Sequence, residues 1–185
     1  MVYGGIDPSL TGSGISIIRE DYSIVSLMKL STPAVGVERL YHLQLKFLES
    51  IAEFEKDISF ICIERAAYHE TGRLWNLGQW AGIFYLDLYK KGIPFIEVAP
   101  LQLKKYVSAV GKNQGKEVVM LDVFKNFKEE IRDADLADAY VLSRIAHDYY
   151  FKYVLKKPMK QLKKYQVEVL NKLFKENTKS VKELL

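Results

Sequence analysis

Two acidic residues stand at the ends of short apolar segments. Asp7 follows Val2–Ile6, and Glu64 follows Ile58–Ile63. The second segment is rich in β-branched residues, and both have the length and bounds of buried strands. A carboxylate at the end of a buried strand needs a partner, because an unpaired buried charge is costly.

Two further acids, Asp135 and Asp138, are three positions apart in a segment with helical patterning. That spacing places both side chains on one face of a helix. The residues around them, Ala134, Leu136, Ala137 and Ala139, are small or apolar. We therefore expect this face to pack inward, where two aspartates without a cation would repel each other.

A hard divalent cation would resolve this repulsion. Mg²⁺ prefers oxygen ligands and keeps several of its waters. Four carboxylates converging from two strand ends and a helix could hold two such ions, which is the arrangement that hydrolyses phosphodiesters in many nucleases. The other candidate groups are weaker, because no nucleophile is paired by any motif with His42, His69 or His147. The single cysteine, Cys62, gives no zinc pattern.

Each acid also has an ordinary structural interpretation. Asp7 before Pro8 is typical of a turn, and Glu64 could pair with Arg65 or Arg73. Acids near a helix start are favoured by the helix dipole, and we assign Asp133 to that role as an N-cap. The order strand-Asp, strand-Glu, helix Asp-x-x-Asp is much harder to obtain by chance than any one acid.

The elements that must position these acids follow from the apolar pattern. Three strands in an antiparallel meander are expected first, at Val2–Ile6, Gly12–Ile18 and Ser23–Leu30. Helices and strands then alternate, at Gly36–Phe54, Ile58–Ile63, Thr71–Lys90, Phe95–Val98 and Pro100–Ala109. Three more helices are expected at Lys116–Phe127, Asp133–Tyr150 and Met159–Lys175. This order predicts an α/β domain with a mixed sheet.

The 185 residues fit one domain, and their net charge of +4 is unevenly distributed. Residues 152–185 carry ten Lys and three acids, so the rest of the chain is slightly acidic. This basic segment indicates either a polyanionic partner, most simply nucleic acid, or a solvated amphipathic helix. The chain has no apolar run long enough to span a bilayer and no signal-peptide pattern. With one cysteine, a cytoplasmic, reducing location is expected.

Five short motifs occur in order along residues 2–147. They are Gly5-Ile-Asp7-Pro8-Ser9-Leu-Thr11-Gly12-Ser-Gly14, Ile63-Glu64-Arg65, Leu77-Gly78-Gln79-x-x-Gly82, Pro100-x-Gln102-x-Lys104 and Asp135-Leu-Ala-Asp138-Ala139. Together they resemble the RuvC-type Holliday-junction resolvases, which have the ribonuclease-H/integrase fold. The resemblance implies a ribonuclease-H-like α/β nuclease domain over residues 1–155, with a mixed sheet flanked by helices. A basic helical extension is then expected over residues 156–185.

The resemblance also implies an activity. The expected protein is a homodimer that places two active sites on a four-way DNA junction and makes paired nicks with 5′-phosphate ends, in DNA recombination and repair. The implied cofactor is Mg²⁺, two per active site, with Mn²⁺ able to substitute. The catalytic metal ligands carried over by position are Asp7, Glu64, Asp135 and Asp138.

Some residues depart from that family's pattern. Arg65 stands where the bacterial enzymes commonly have Gln, and Tyr68 is one position later than their aromatic residue. The basic tail has no matched counterpart. Two alternatives to junction resolution therefore stay open. One is a ribonuclease-H-like nuclease on other branched DNA or RNA–DNA hybrids, and the other is a non-catalytic junction-binding protein.

Contacts to DNA are expected around a glycine-bounded loop, Gly111–Gly115, and near the second acidic motif. A junction is bound largely through its phosphates, which need Lys and Arg along the path. Tyr68 could stack on an unpaired base, or it could pack at the rim of the site. The candidate DNA-binding residues are Arg65, Tyr68, Arg73, Lys104, Lys112 and Lys116. Each lysine could instead be an ordinary solvated charge.

The helix expected over Thr71–Lys90 carries Gly78 and Gly82, four positions apart. These glycines form a small-residue groove that another helix could approach. The resemblance makes this helix the dimer interface, and packing within the chain is the alternative. Trp80 and Phe84 on the same helix are expected in the core or in dimer contacts.

Overall fold

The computed structural model describes residues 1–9, 11–65, 74–109, 116–159 and 162–177, without the side chains of residues 74–77 and 116. The described strands are β1 (Val2–Asp7), β2 (Ser13–Arg19), β3 (Ile24–Leu30), β4 (Ile58–Glu64) and β5 (Phe95–Val98). The described α-helices are α1 (Gly36–Ala52), α2 (Leu74–Lys90), α3 (Pro100–Ser108), α4 (Lys116–Phe127), α5 (Ala134–Tyr149) and α6 (Lys164–Glu176). A π-helical turn over Tyr150–Val154 follows α5.

The five strands form one sheet in the order β3-β2-β1-β4-β5. The β1–β2 and β2–β3 pairs are antiparallel, whereas the β1–β4 and β4–β5 pairs are parallel. The predicted mixed sheet, an antiparallel meander joined to parallel strands, is confirmed. Strands β1 and β4 end one residue later than predicted, so that each includes the acid at its end.

Each face of the sheet has its own apolar core. On one face, α5 lies across β1, β2 and β4, and this core contains Tyr3 and Cys62. On the other face, the core contains Ile61 and Ile63 of β4 together with buried residues of α1 and α2. The alternation of Cys62 against Ile61 and Ile63 is the one that period-two patterning predicts for a strand.

Helix α5 begins where its local sequence places the start. Asp133 has an extended backbone, and its Oδ1 accepts hydrogen bonds from the backbone N–H groups of Asp135 and Leu136. The predicted N-cap is therefore confirmed. This bond satisfies donors that the first turn of a helix leaves without partners.

The other end of α5 is held by a buried polar group. Asp148 accepts hydrogen bonds from the hydroxyls of Tyr22 and Tyr106 and contacts His147 Nδ1 at 2.7 Å. These contacts tie α5 to the β2–β3 turn and to α3. Burial raises the pKa of the Tyr106 hydroxyl, so Tyr106 stays a hydrogen-bond donor to this carboxylate.

The last helix differs from its prediction. Helix α6 begins at Lys164 rather than Met159, and its start is marked by a hydrogen bond from the Lys163 N–H to Gln166 Oε1. Three apolar residues of α6 are buried in the core under α5: Val169, Leu170 and Leu173. The amphipathic character of this helix is thus used for packing within the chain. The domain boundary at residue 155 stays a prediction.

Among the described helices, none has the length and apolar character needed to cross a membrane.

Candidate metal centre

Three of the four predicted carboxylates lie together at one edge of the sheet. Asp7, Glu64 and Asp138 each offer one oxygen, and these oxygens lie within 4.8 Å of one another. Asp7 is only 8% exposed, and the other two are half-buried. Asp7 and Glu64 end the neighbouring parallel strands β1 and β4, whose carboxyl ends meet at this edge.

Helix α5 supplies Asp138 because it rests directly on the backbone of β1 and β2. A Cβ atom at Gly5 would lie 2.0 Å from the carbonyl oxygen of Ala139, and one at Gly14 would lie 2.2 Å from that of Asp135. Any side chain at either glycine would push the helix away. The two glycines therefore set the height of α5 above the sheet and bring Asp138 over the end of β1.

Asp135 has a different environment from the other three acids. Its Oδ2 lies 2.8 Å from Nζ of Lys29, which also lies 2.7 Å from Oδ2 of Asp133. The group of three carboxylates found among the described residues does not include Asp135. Its assignment as a fourth metal ligand stays a prediction.

Lys29 was not among the candidate residues, and its place follows from strand register. Its α-carbon pairs with that of Gly14 across β3 and β2, and Gly14 pairs with Asp7 across β2 and β1. Directly paired residues of neighbouring strands share a face of the sheet. The alternating pattern of β3 could have shown which of its own residues share a face of the sheet. It could not show which residue of β2 pairs with each of them.

Lys29 and its two aspartate partners stabilise one another's charged forms. The hydrogen bonds that Lys29 donates, first to Asp133 and then to Asp135, raise the pKa of Lys29, and the Lys29 ammonium lowers the pKa of Asp133. Both groups are therefore fully ionised at neutral pH.

Two hydrogen bonds connect helix α2 to the residues that follow Asp7. The indole N–H of Trp80 donates to Ser13 Oγ at 2.6 Å, and Ser13 Oγ donates to the carbonyl oxygen of Ser9 at 2.9 Å. Trp80 and Phe84 are expected in the core or in dimer contacts; both are fully buried, so they lie in the core. These bonds position the chain that follows the carboxylate of Asp7.

The donor set fits a hard divalent cation. Three carboxylates this close repel one another unless a cation lies among them, and carboxylate oxygens are the ligands that Mg²⁺ takes. Cysteine chemistry does not compete, because Cys62 is completely buried and burial raises the pKa of its thiol. The arrangement can therefore hold metal for hydrolysis of a phosphate ester.

Three of the six predicted DNA-contacting residues, Tyr68, Arg73 and Lys112, lie outside the described residues, as does the loop Gly111–Gly115. Arg65 directly follows β4, and its backbone N–H bonds to the carbonyl oxygen of Val98. Lys104 is half-buried on α3. Lys116 begins α4, but its side chain is not described. All six DNA contacts stay predictions.

The glycine groove of α2 faces outward. Gly78 and Gly82 are exposed, and a Cβ at either would meet nothing within 4 Å in the described part of the chain. No described residue therefore packs into this groove, and both the dimer interface and packing within the chain stay predictions.

A mixed sheet with acids at the ends of two adjacent parallel strands, and a third acid on a helix crossing them, defines a ribonuclease-H-like nuclease. The chain belongs to the RuvC family, whose model, described as crossover junction endodeoxyribonuclease RuvC, matches residues 3–147. This confirms the family that the five motifs indicated.

Named relatives agree with this assignment. The chain is 31% identical over 156 residues to crossover junction endodeoxyribonuclease RuvC of Ruegeria pomeroyi, with 79% of this chain and 90% of that protein covered. It is 29% identical over 147 residues to the RuvC of Corynebacterium glutamicum, with 75% and 66% covered.

Solved structures share the fold. The structure of Thermus thermophilus RuvC matches with a TM-score of 0.67 and 23% identity, over 86% of this chain and 100% of that chain. The same protein in complex with a Holliday junction substrate matches with a TM-score of 0.66, 23% identity and 86% and 99% coverage. The predicted ribonuclease-H-like architecture is confirmed.

Proposed function

We propose that this protein is an endonuclease that resolves four-way DNA junctions by metal-dependent hydrolysis of phosphodiester bonds. The observation that carries the proposal is the meeting of Asp7, Glu64 and Asp138 oxygens within 4.8 Å. Membership of a crossover junction endodeoxyribonuclease family supports the same activity. The products are expected to carry 5′-phosphate and 3′-hydroxyl ends.

The cofactor in this proposal is Mg²⁺, two ions per active site, with Mn²⁺ as a substitute. Asp7, Glu64 and Asp138 would hold the metal, and Asp135 would join them for the second ion. When bound, such ions lower the pKa of a water and offset charge on the leaving oxygen. These carboxylates would hold and orient the ions, while α5 and the Trp80–Ser13 contact keep the carboxylates in place.

The proposed substrate is a branched DNA held through phosphate contacts. The predicted contacts are Arg65, Tyr68, Arg73, Lys104, Lys112 and Lys116, which lie in or beside the second, third and fourth motifs and the loop before α4. The chain covers almost all of a RuvC structure that was solved with a Holliday junction. Such an activity would act inside the cell, in DNA recombination and repair.

We further propose that the active unit is a homodimer, because paired nicks across a junction need two active sites. Helix α2 supplies a surface for this contact. Gly78 and Gly82 leave its backbone open to an approaching helix, and Leu86 and Tyr89 are 49% and 80% exposed further along the helix. An exposed apolar stripe beside small residues is typical of a helix–helix interface.

The deciding experiment is an endonuclease assay under Mg²⁺ with four-way, three-way, flap and duplex DNA and an RNA–DNA hybrid. We expect two symmetric cuts in the four-way junction and little cutting of duplex. Cutting of the hybrid alone would favour the ribonuclease alternative. Binding of the junction without any metal-dependent cutting would favour the non-catalytic alternative.

A further inference from the structure

Lys29 lies on the edge strand β3 and reaches over the sheet to the start of α5. Its Nζ lies 2.7 Å from Asp133 Oδ2 and 2.8 Å from Asp135 Oδ2. A Cβ at Gly12 would be 2.3 Å from Lys29 Cε, so the side chain runs directly across that glycine. The absence of a side chain at Gly12 is what leaves this path open.

The position of Lys29 relates it to the metal centre. The paired row Lys29, Gly14 and Asp7 crosses three strands on the face that α5 covers. Its ammonium is a positive charge bound to Asp133 and Asp135, at the start of the helix that carries Asp138. The side chains of Lys29 and Asp135 are 37% and 13% exposed, so their attraction is only partly screened by water.

We propose that Lys29 is a positioning residue that competes with a divalent cation for Asp135. In the protein without DNA, the ammonium of Lys29 holds Asp135 and the three-carboxylate cluster takes the first ion. The second ion needs Asp135, and it binds weakly because it must displace an ammonium group that is already paired. This inference rests on the metal site of the proposed function and adds a residue that sets the metal concentration at which that site is filled.

This competition predicts the direction in which the affinity for a divalent cation changes when Lys29 is replaced. Removing the ammonium removes its competition for Asp135 and lowers the positive charge near the site, so a divalent cation binds more tightly. Lys29→Met keeps the aliphatic stem and removes the charge, whereas Lys29→Arg keeps the charge. Lys46→Met is a matched control, because Lys46 Nζ bonds the carbonyl oxygen of Ser31 rather than any of these carboxylates.

The experiment measures Mn²⁺ binding to the DNA-free protein by electron paramagnetic resonance, alongside the Mg²⁺ concentration for half-maximal cutting. In Lys29→Met, we expect the weaker Mn²⁺ site to tighten about tenfold, as the loss of a nearby unit charge requires. The half-maximal Mg²⁺ concentration should fall with it. Lys29→Arg and Lys46→Met should bind Mn²⁺ as the wild type does.

A second variant pair tests whether the effect passes through Asp135. In an Asp135→Asn background, Lys29→Met should change Mn²⁺ affinity much less than it does alone, because the competed ligand is gone. If Lys29→Met fails to fold, Gly12→Ala displaces the same side chain without removing it and should also tighten Mn²⁺ binding.

Unchanged or weaker Mn²⁺ binding in a folded Lys29→Met protein would overturn the inference. The proposed function fails separately, if the wild type neither binds Mn²⁺ nor cuts DNA.

Discussion

The backbone of Gly5 is in direct contact with the backbone of Ala139. A Cβ at Gly5 would lie 2.0 Å from the Ala139 carbonyl oxygen and 2.3 Å from the backbone nitrogen of Ser143. Both atoms belong to α5, so no rotation of a side chain can relieve the clash. The sheet and the helix that carries Asp138 therefore fit together only with glycine at this position.

Gly5→Ala should therefore reduce stability and misplace Asp138. We expect overpacking to lower the free energy of unfolding by about 1–3 kcal/mol and cutting to be lost while the protein is still folded. Urea unfolding and a junction-cutting assay at low temperature would measure the two effects. The control is Gly4→Ala, whose Cβ would meet the Ile61 side chain on the opposite face and not α5. Normal cutting by Gly5→Ala would contradict the positioning role of this contact.

The three clustered carboxylates should be individually essential. Asp7→Asn, Glu64→Gln and Asp138→Asn each remove a charge from the proposed metal site, so cutting should be abolished. Junction binding should stay the same or become tighter, because each change also reduces repulsion of DNA phosphates. Gel-shift and cutting assays with the same four-way junction separate the two quantities. Glu38→Gln, which changes an exposed acid on α1, is the control, and cutting retained by any of the three variants would exclude that residue as an essential ligand.

The buried face of helix α6 should be needed for the stability of the fold. Leu170 is fully buried in the core that also contains Tyr106 and Tyr140. Leu170→Ala should lower the free energy of unfolding by about 2–5 kcal/mol. By contrast, Lys172→Ala changes a 66% exposed side chain and should stay within about 0.5 kcal/mol of the wild type. Denaturant unfolding measures both, and equal stability of the two variants would show that α6 is dispensable for the fold.

The exposed glycines of α2 should control the oligomeric state. Gly82→Leu adds a large side chain where a partner helix is proposed to approach, and its Cβ would meet nothing within 4 Å in the described part of the chain. We expect the variant to sediment as a monomer and to lose paired cutting. Leu121→Arg, on the exposed face of α4, is the control and should stay dimeric. A Gly82→Leu protein that remains a dimer would place the interface elsewhere.

The sequence predicted those parts of the site that depend on local order along the chain. The strand-end positions of Asp7 and Glu64 could be predicted because short apolar runs end next to them. The role of Asp133 could be predicted because an N-cap residue bonds to the first turn of its own helix. The contact between Lys29 and Asp135 joins β3 to α5 and depends on strand register, which no local pattern encodes. Similarly, the start of α6 depends on the Gln166 side chain bonding back to Lys163, and apolar periodicity alone placed it five residues too early.

The register of the meander has one more consequence. Irregular pairing occurs between Val2 and Tyr3 and between Ile17 and Ile18, whereas the end of the sheet that holds Asp7 and Gly14 is paired without interruption. A slip of one residue there would turn Asp7 to the opposite face and give α5 a side chain in place of glycine. A chain with the wrong register would thus be unable to assemble the acidic cluster. Metal-dependent cutting therefore reports that these strands are paired in the native register.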